Sequence, residues 1–158
     1  MYETSYRFHF TDLWLDKEEL EKYIAEQCSV DTIFTSLNTP EHKWFIAETD
    51  AINSNVIGFS KIITNQTIPD ENIIGLYLHK LYLIPHLTGK NYGEQLFDHV
   101  VTLGQEWGQK WLWLEVLEKN KYAIKFYAKK GMTWQKDILF SSSKQQSTLH
   151  IMTKKLLN

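Results

Sequence analysis

The sequence predicts a mixed α/β fold with a mostly antiparallel sheet. Apolar segments of strand length stand in one group before residue 85 and in another after residue 131, and helical periodicity separates them. A glycine-bearing turn at residues 85–93 joins a strand candidate to a helix candidate, as in α/β units. The length of 158 residues is that of one domain, so we expect a single domain over residues 1–158.

The first predicted helix covers residues 11–28. Asp16 is a suitable N-cap, and Glu19 stands three residues later in the capping-box position. Leu20 and Ile24 then fall on one helical face.

Three strands are predicted next. Residues 44–48 form a short apolar run that predicts a buried strand, and residues 55–64 predict a second strand joined to it by a hairpin. Residues 65–72 are polar and contain a proline, which favours a loop. Residues 73–84 are partly alternating and predict a long strand that stops at Pro85.

The second half of the chain alternates helices and strands. A helical pattern begins near Gly93, and residues 111–117 are typical of a central strand that is buried on both faces. Asn120 is a suitable cap for the next helix. Two final strands are predicted at 132–140 and 147–155.

Charge and cysteine content exclude several classes of protein. The formal net charge is −2, and no basic block favours nucleic acid or a membrane surface. No apolar run approaches the length of a membrane span, and the N-terminus lacks the apolar core of a signal peptide. Cys28 is the single cysteine, and no cluster has metal-ligand spacing. We therefore expect a cytoplasmic protein with no metal, no nucleic-acid partner and no membrane partner.

The first motif is Pro85–Gly93, with the sequence PHLTGKNYG. Glycines between a strand and a helix let backbone N–H groups gather around an anion. The helix that follows directs the positive end of its dipole to the same point. The motif predicts a pyrophosphate cradle, although a turn of this kind is weak evidence on its own.

The second motif runs from Leu114 to Met132. It combines a strand end, a polar Asn120, a short helix and a glycine stop. Helical spacing puts Asn120, Ala123 and Tyr127 on one face. Considered alone, Asn120 is a cap and Tyr127 a core aromatic residue.

Together, in this order and at this separation, the two motifs resemble the coenzyme A-binding core of the GNAT superfamily of N-acetyltransferases, and most resemble its PaiA-like, spermidine/spermine-type group. The first family motif usually has Arg or Gln where this chain has Thr88, and Gly where it has Asn91; asparagine tolerates positive φ. Met132 replaces a usual Phe. The second family motif is matched at Leu114, Val116, Asn120, Ala123, Phe126, Tyr127 and Gly131.

The resemblance implies a GNAT-like sheet of about six strands, flanked by helices. The sheet would be splayed between the family's fourth and fifth strands, here 76–84 and 111–117. The family's first strand has no counterpart in this sequence. The resemblance leaves a homodimer open.

The resemblance also implies acetyl-CoA as co-substrate and no metal. The pantetheine arm would pair with backbone groups near Leu81 and Leu83, and the glycine turn would hold the pyrophosphate. The cofactor-binding residues implied in this way are Leu81, Leu83, Thr88, Gly89, Lys90, Asn91, Tyr92, Gly93, Glu94, Asn120 and Ala123.

Two proton-transfer residues follow from the same resemblance. Tyr127 stands at the family position of the general acid that protonates the thiolate. His79 stands where many relatives carry a glutamate base, and an imidazole suits that task. Tyr77, Trp14 and Tyr23 are expected to border the acceptor pocket. Glu115, in an apolar strand, is either a second base or, more simply, a paired or edge carboxylate.

The predicted activity is transfer of an acetyl group from acetyl-CoA to a primary amine by direct attack. The predicted acceptor is a small molecule such as a polyamine. Two alternatives stay open at this point: an acetyltransferase acting on protein N-termini, and a coenzyme A-binding protein without catalysis. A dinucleotide-binding Rossmann enzyme is excluded because no G-x-G-x-x-G motif follows a first strand.

Overall fold

The computed structural model describes residues 1–49, 55–87 and 90–157. None of the helices in these ranges is long and apolar enough to cross a membrane. The elements in chain order are α1 (Tyr2–Phe10), a 3₁₀ turn (Thr11–Leu13), α2 (Lys17–Gln27), α3 (Val30–Leu37), β1 (His42–Glu48), β2 (Val56–Thr67), β3 (Ile74–Leu83), α4 (Tyr92–Glu106), β4 (Trp111–Leu117), α5 (Lys121–Lys129), β5 (Thr133–Ser141) and β6 (Gln146–Lys155).

The six strands form one sheet in the order β1-β2-β3-β4-β6-β5. All neighbouring strands are antiparallel except β3 and β4, which are parallel and connected through α4. The predicted mixed fold and its mostly antiparallel sheet are confirmed.

Among the described residues, the chain before α2 forms helix α1 and a 3₁₀ turn but no strand, which agrees with the prediction that the family's first strand is missing. Tyr2, Ser5 and Tyr6 follow helical spacing and are buried, and the two tyrosine rings pack against Phe59 and Tyr82 of the sheet. The sequence prediction contained no helix here because tyrosine, phenylalanine and threonine favour strands.

Several predicted bounds differ from the structure. Of the helix predicted at 11–28, only Lys17–Gln27 is α-helical. β2 continues to Thr67, into the predicted loop, because its last residues still pair with β3. β1 is an edge strand rather than a buried one, and its Ile46 is 63% exposed. Most of the hairpin turn between β1 and β2, at residues 50–54, lies outside the described residues.

The predicted N-cap of α2 is confirmed, but its capping-box partner has another role. Asp16 Oδ1 accepts the backbone N–H of Glu19 at 3.0 Å. The Glu19 carboxylate accepts hydrogen bonds from the hydroxyls of Ser142 and Ser143 and from the backbone N–H of Lys144. Glu19 therefore joins α2 to the turn between β5 and β6.

The sheet is covered by helices on both faces. On one face, α4 and α5 pack on a core that includes Phe97, Leu112 and Leu114. On the other, α1 and α2 pack on Phe59, and Trp113 belongs to a separate cluster. Alternate residues of β4 thus serve opposite faces, as predicted for a strand buried on both sides.

A β-bulge interrupts the pairing of β2 with β3. Lys61 pairs with Lys80, while the next residue, Ile62, pairs with Leu78, so His79 is the extra residue. Bulges bend a strand and redirect its side chains, and they are common beside active sites. The bulge lies at the residue that was predicted to be the base.

Candidate active site

A cavity of about 600 Å³ opens where β3 and β4 separate. Over their fully described lengths, the two strands pair at only two positions, Leu76 with Leu112 and Tyr77 with Trp113. Beyond these positions β3 continues along β2, and β4 continues along β6. The backbone of β3 that faces β4 therefore lacks a strand partner from Leu78 onward. The predicted splay is confirmed.

The start of α4 provides free backbone donors at one end of this cavity. Asn91 is the N-cap, with φ of 61°, and its own side chain makes no capping hydrogen bond. This is the left-handed conformation expected for asparagine in place of the family glycine. The first N–H groups of α4 are consequently open to an anion.

The predicted phosphate-binding residues divide into three groups. Asn91, Gly93 and Glu94 line the cavity, whereas Lys90 and Tyr92 do not. Thr88 and Gly89 lie outside the described residues. The Glu94 carboxylate is 2.8 Å from Lys129 Nζ, so a lysine of α5 neutralises it.

Helix α5 brings Asn120, Ala123 and Tyr127 to the cavity wall. Asn120 Oδ1 accepts the backbone N–H of Ala123 at 3.1 Å, which caps the helix and leaves the amide NH₂ group for a ligand. The Tyr127 ring contacts Phe97 and Phe126, with centroids 6.0 and 5.2 Å away. Burial raises the pKa of Tyr127, so its hydroxyl stays protonated at neutral pH.

Leu81 and Leu83 of β3 also line the cavity. The side chain of His9, at the end of α1, donates from Nε2 to the carbonyl oxygen of Leu83 over 3.2 Å. Helix α1 therefore reaches the strand end that was predicted to bind pantetheine. The sequence analysis did not identify His9 as a site residue.

His79 lines the cavity as a neutral imidazole. Its ring stacks on Tyr77, with centroids 5.3 Å apart, and Tyr77 stacks on Trp113 at 4.1 Å. His79 Nε2 is 3.4 Å from Lys80 Nζ, and Nδ1 is buried without a partner. Burial, together with the charges of Lys80 and Lys61, lowers the pKa of His79 to about 3.

Aromatic side chains from α1, α2 and the segment between them form the opposite wall. Trp14 donates from Nε1 to the Tyr6 hydroxyl at 3.2 Å, and its ring lies 5.2 Å from that of Tyr23. The Tyr6 and Tyr23 rings are also 5.2 Å apart. The predicted wall residues Trp14, Tyr23 and Tyr77 are thus brought to one cavity. Tyr6 was missed because α1 was not predicted.

Glu115 of β4 lines the same cavity. Burial raises the pKa of its carboxyl, and the interaction with Tyr77, which lines the same cavity, partly offsets this effect. Among the described residues, no ion pair joins Glu115 to a basic side chain. Because β4 is a central strand, Glu115 is not an edge carboxylate.

In the part of the chain that the structure describes, no three His, Cys, Asp or Glu side chains are grouped to hold a metal ion. An uncapped helix start, an open strand edge and a free asparagine amide fit a ligand that combines phosphates with an amide-containing arm.

Comparisons with known proteins agree with this arrangement. Residues 4–132 match the model of the acetyltransferase (GNAT) family. An uncharacterized N-acetyltransferase from Lactobacillus delbrueckii subsp. lactis is 26% identical over 141 residues, which cover 89% of this chain and 80% of that protein. The crystal structure of a PaiA N-acetyltransferase from Thermoplasma acidophilum, in complex with coenzyme A, superposes with a TM-score of 0.73 at 22% identity, covering 97% of this chain and 87% of that one. Spermidine/spermine N-acetyltransferase SpeG from Vibrio cholerae superposes with a TM-score of 0.60 at 15% identity, covering 90% and 76%.

Proposed function

The chain belongs to the acetyltransferase (GNAT) family and is an N-acetyltransferase that uses acetyl-CoA, and we propose that its acceptor is a primary amine of a small molecule, a polyamine being the first to test. The observation that carries this proposal is one continuous cavity. One end has the open start of α4 and the open edge of β3, and the other end is walled by aromatic rings.

The residues present fit acetyl-CoA. The backbone N–H groups from Asn91 onward, including that of Gly93, would hold the pyrophosphate. Thr88, Gly89 and Lys90, which precede them in the same turn, are also predicted to bind it. The Asn120 amide and the β3 backbone near Leu81 would hold the pantetheine arm. When bound, acetyl-CoA supplies an activated acetyl group as a thioester.

The cavity wall favours a small acceptor over a protein N-terminus. Residues 8–10 and 13–14, at the end of α1 and before α2, line the cavity on the acceptor side. A peptide acceptor requires an open groove, and α1 with its aromatic residues covers that side. Aromatic faces also attract an alkylammonium ion.

Three acidic side chains at α2 already have partners within the protein. Asp16 pairs with Lys144 at 2.8 Å, Glu21 pairs with Arg7, and Glu19 binds the β5–β6 turn. A polyamine would therefore be recognised by the aromatic wall and by the acid inside the cavity. The name of the SpeG neighbour, a spermidine/spermine N-acetyltransferase, supports a polyamine as the first acceptor to test.

Tyr127 is the proposed general acid. Its raised pKa keeps the hydroxyl protonated, so it has a proton for the departing thiolate. That His79 is the base stays a prediction. A pKa near 3 argues against it, because the neutral ring then has little ability to hold a proton.

The test measures acetyl-CoA binding by calorimetry and thiol release across an amine panel headed by spermidine. We expect acetyl-CoA to bind and one class of amine to be turned over. Tyr127→Phe should lower kcat by about 10²–10⁴ without weakening acetyl-CoA binding. Tyr2→Phe is the matched control, because it removes a buried, unpartnered tyrosine hydroxyl that does not line the cavity.

Three other outcomes would contradict parts of the proposal. Turnover of peptide N-termini in preference to free amines would point to a protein acceptor. Binding without turnover on any acceptor, with Tyr127→Phe indistinguishable from wild type, would indicate a non-catalytic coenzyme A-binding protein. Failure to bind acetyl-CoA would refute the proposed site.

A further inference from the structure

We propose that Glu115 binds the ammonium group of the acceptor and takes its proton. This inference rests on the proposed amine acetyltransferase function and names a group that the family resemblance does not provide. Glu115 lies on β4, directly across the splay from the end of β3 that carries Tyr77 and His79. Its position is on the face of β4 shared with Trp113, away from Leu114 and the core that packs on α4.

The first argument is the charge balance of the cavity. Two carboxylates line it, and Lys129 neutralises the one from Glu94. Glu115 forms no ion pair within the described residues, and its pKa responds only to burial and to Tyr77. Removing a carboxylate from water without a cation is costly. A side chain kept in that state inside a cleft is a candidate for function.

The second argument is what surrounds the carboxylate. Tyr77 of β3, Tyr23 of α2 and Glu115 all line the same cavity. Tyr77 and Glu115 each influence the pKa of the other, and the charge of Glu115 contributes to raising the pKa of Tyr23. An acid between aromatic rings is suited to an alkylammonium ion, because the acid pairs with the charge and the ring faces attract the cation.

The third argument compares Glu115 with His79. Both line the cavity, but burial acts on their pKa values in opposite directions. It raises the pKa of the Glu115 carboxyl toward working pH, whereas it lowers that of His79 to about 3. A base works best when its pKa is near the working pH. His79 is held between Tyr77 and Lys80, so it is better placed to orient Tyr77 than to accept a proton.

The proton balance of the reaction is complete with these groups. The acceptor enters as an ammonium ion and passes one proton to the Glu115 carboxylate. The free amine attacks the thioester carbonyl carbon, a C–N bond forms and the C–S bond breaks. The thiolate sulfur receives a proton from Tyr127, and the second nitrogen proton, released as the amide forms, returns to the Tyr127 phenolate. Glu115 releases its proton to solvent before the next turnover.

The test compares Glu115→Gln with Glu118→Gln in the full chain. Glu118 is an exposed acid at the end of β4 that does not line the cavity. With an amine that the wild type turns over, Glu115→Gln should lower kcat/KM by about 10²–10⁴ and leave the Kd for acetyl-CoA unchanged. The acidic limb of the kcat/KM pH profile should disappear in Glu115→Gln, and Glu115→Asp should restore part of the rate.

Two further readouts separate this role from a structural one. Calorimetry with spermidine and with n-butylammonium, each in the presence of coenzyme A, should show binding to wild type that Glu115→Gln weakens. The Tm at pH 7 should stay the same or rise in Glu115→Gln. The reason is that a carboxyl whose pKa is raised by folding destabilises the native state when it ionises, and glutamine cannot ionise.

Activity of Glu115→Gln within twofold of Glu118→Gln would overturn the inference and leave the proposed function standing. Parallel losses of amine turnover, acetyl-CoA affinity and Tm would also overturn it, because they would mark Glu115 as structural. If wild type neither binds nor turns over any amine on the panel, the proposed function fails and the inference fails with it.

Discussion

Gly75 is the residue at which the contact between β3 and β4 can be tested most directly. An alanine Cβ at this position would lie 2.4 Å from the carbonyl oxygen of Trp111 and 2.9 Å from its carbonyl carbon. Carbon–oxygen contacts are comfortable from about 3.3 Å, so the two strands would have to part by roughly 1 Å. Overpacking of this kind costs about 1–3 kcal/mol.

The cost falls on the shortest strand contact in the sheet. β3 and β4 pair at two positions only, both within two residues of Gly75, and the cavity begins beyond them. We therefore expect Gly75→Ala to lower the Tm by about 2–4 °C for each kcal/mol lost. Acetyl-CoA binding should weaken as well, because the edges that hold it would move.

Thermal and urea unfolding, followed by calorimetry with acetyl-CoA, would measure both effects. Gly93→Ala is the matched control for stability: its Cβ would meet side-chain atoms at 3.7 and 3.8 Å, which is ordinary contact. That substitution should leave the free energy of unfolding unchanged or raise it by up to about 1 kcal/mol. If Gly75→Ala unfolds within about 0.5 kcal/mol of wild type, the strands are not held as closely as described, and the reasoning is refuted.

Three other predictions concern His79, Asn120 and Phe97. Folding lowers the pKa of His79 from 6.5 to about 3. As the pH falls from 6.5 toward 3, the unfolded chain therefore binds a proton at His79 and the folded protein does not, so the free energy of unfolding should decrease. His79→Gln should flatten that part of the pH–stability curve. Asn120→Ala should destabilise the protein by about 0.5–2 kcal/mol through loss of the N-cap. Asn120→Asp should keep the cap and the stability but raise the Kd for acetyl-CoA. Equal Kd values in wild type and Asn120→Asp would show that the amide does not bind acetyl-CoA. Phe97→Ala should cost about 3–5 kcal/mol in urea unfolding because the ring is fully buried, while Phe34→Ala, at a side chain that is 65% exposed, should cost little.

The local sequence pattern was enough to predict those elements whose residue pattern matches their burial in the structure. β4 is apolar along nearly its whole length and lies in the middle of the sheet, so its prediction depended on composition alone. Asn120 and Gly131 mark the ends of α5 by backbone chemistry, a cap and a left-handed residue with φ of 80°. The same holds for Asn91, whose positive φ followed from its place in the turn.

Local pattern was insufficient where tertiary contacts decide. The aromatic residues of α1 have strand propensity, and they form a helix because its buried face packs on Phe59 and Tyr82. The bulge at His79 arises from the register between two strands, which no single segment encodes. The low pKa of His79 comes from its burial and from the charges of Lys80, its neighbour on β3, and of Lys61 on β2, so its protonation state was not predictable from residue type.

The helix in place of the first family strand changes what the acceptor side of the site is made of. A strand at the edge of the sheet would extend the sheet without covering the cavity, whereas α1 sends Tyr6 and His9 into it. His9 donates a hydrogen bond to the carbonyl of Leu83 on β3, where pantetheine is proposed to bind, and Tyr6 accepts a hydrogen bond from Trp14 on the aromatic wall proposed for the acceptor. One helix thus contacts both halves of the site. Helix α1 carries no motif and faces the proposed acceptor side. We therefore expect differences in acceptor choice between this chain and its relatives to depend on sequence differences in residues 2–14. Differences in the two motifs proposed to bind coenzyme A should matter less, because that ligand is common to the family.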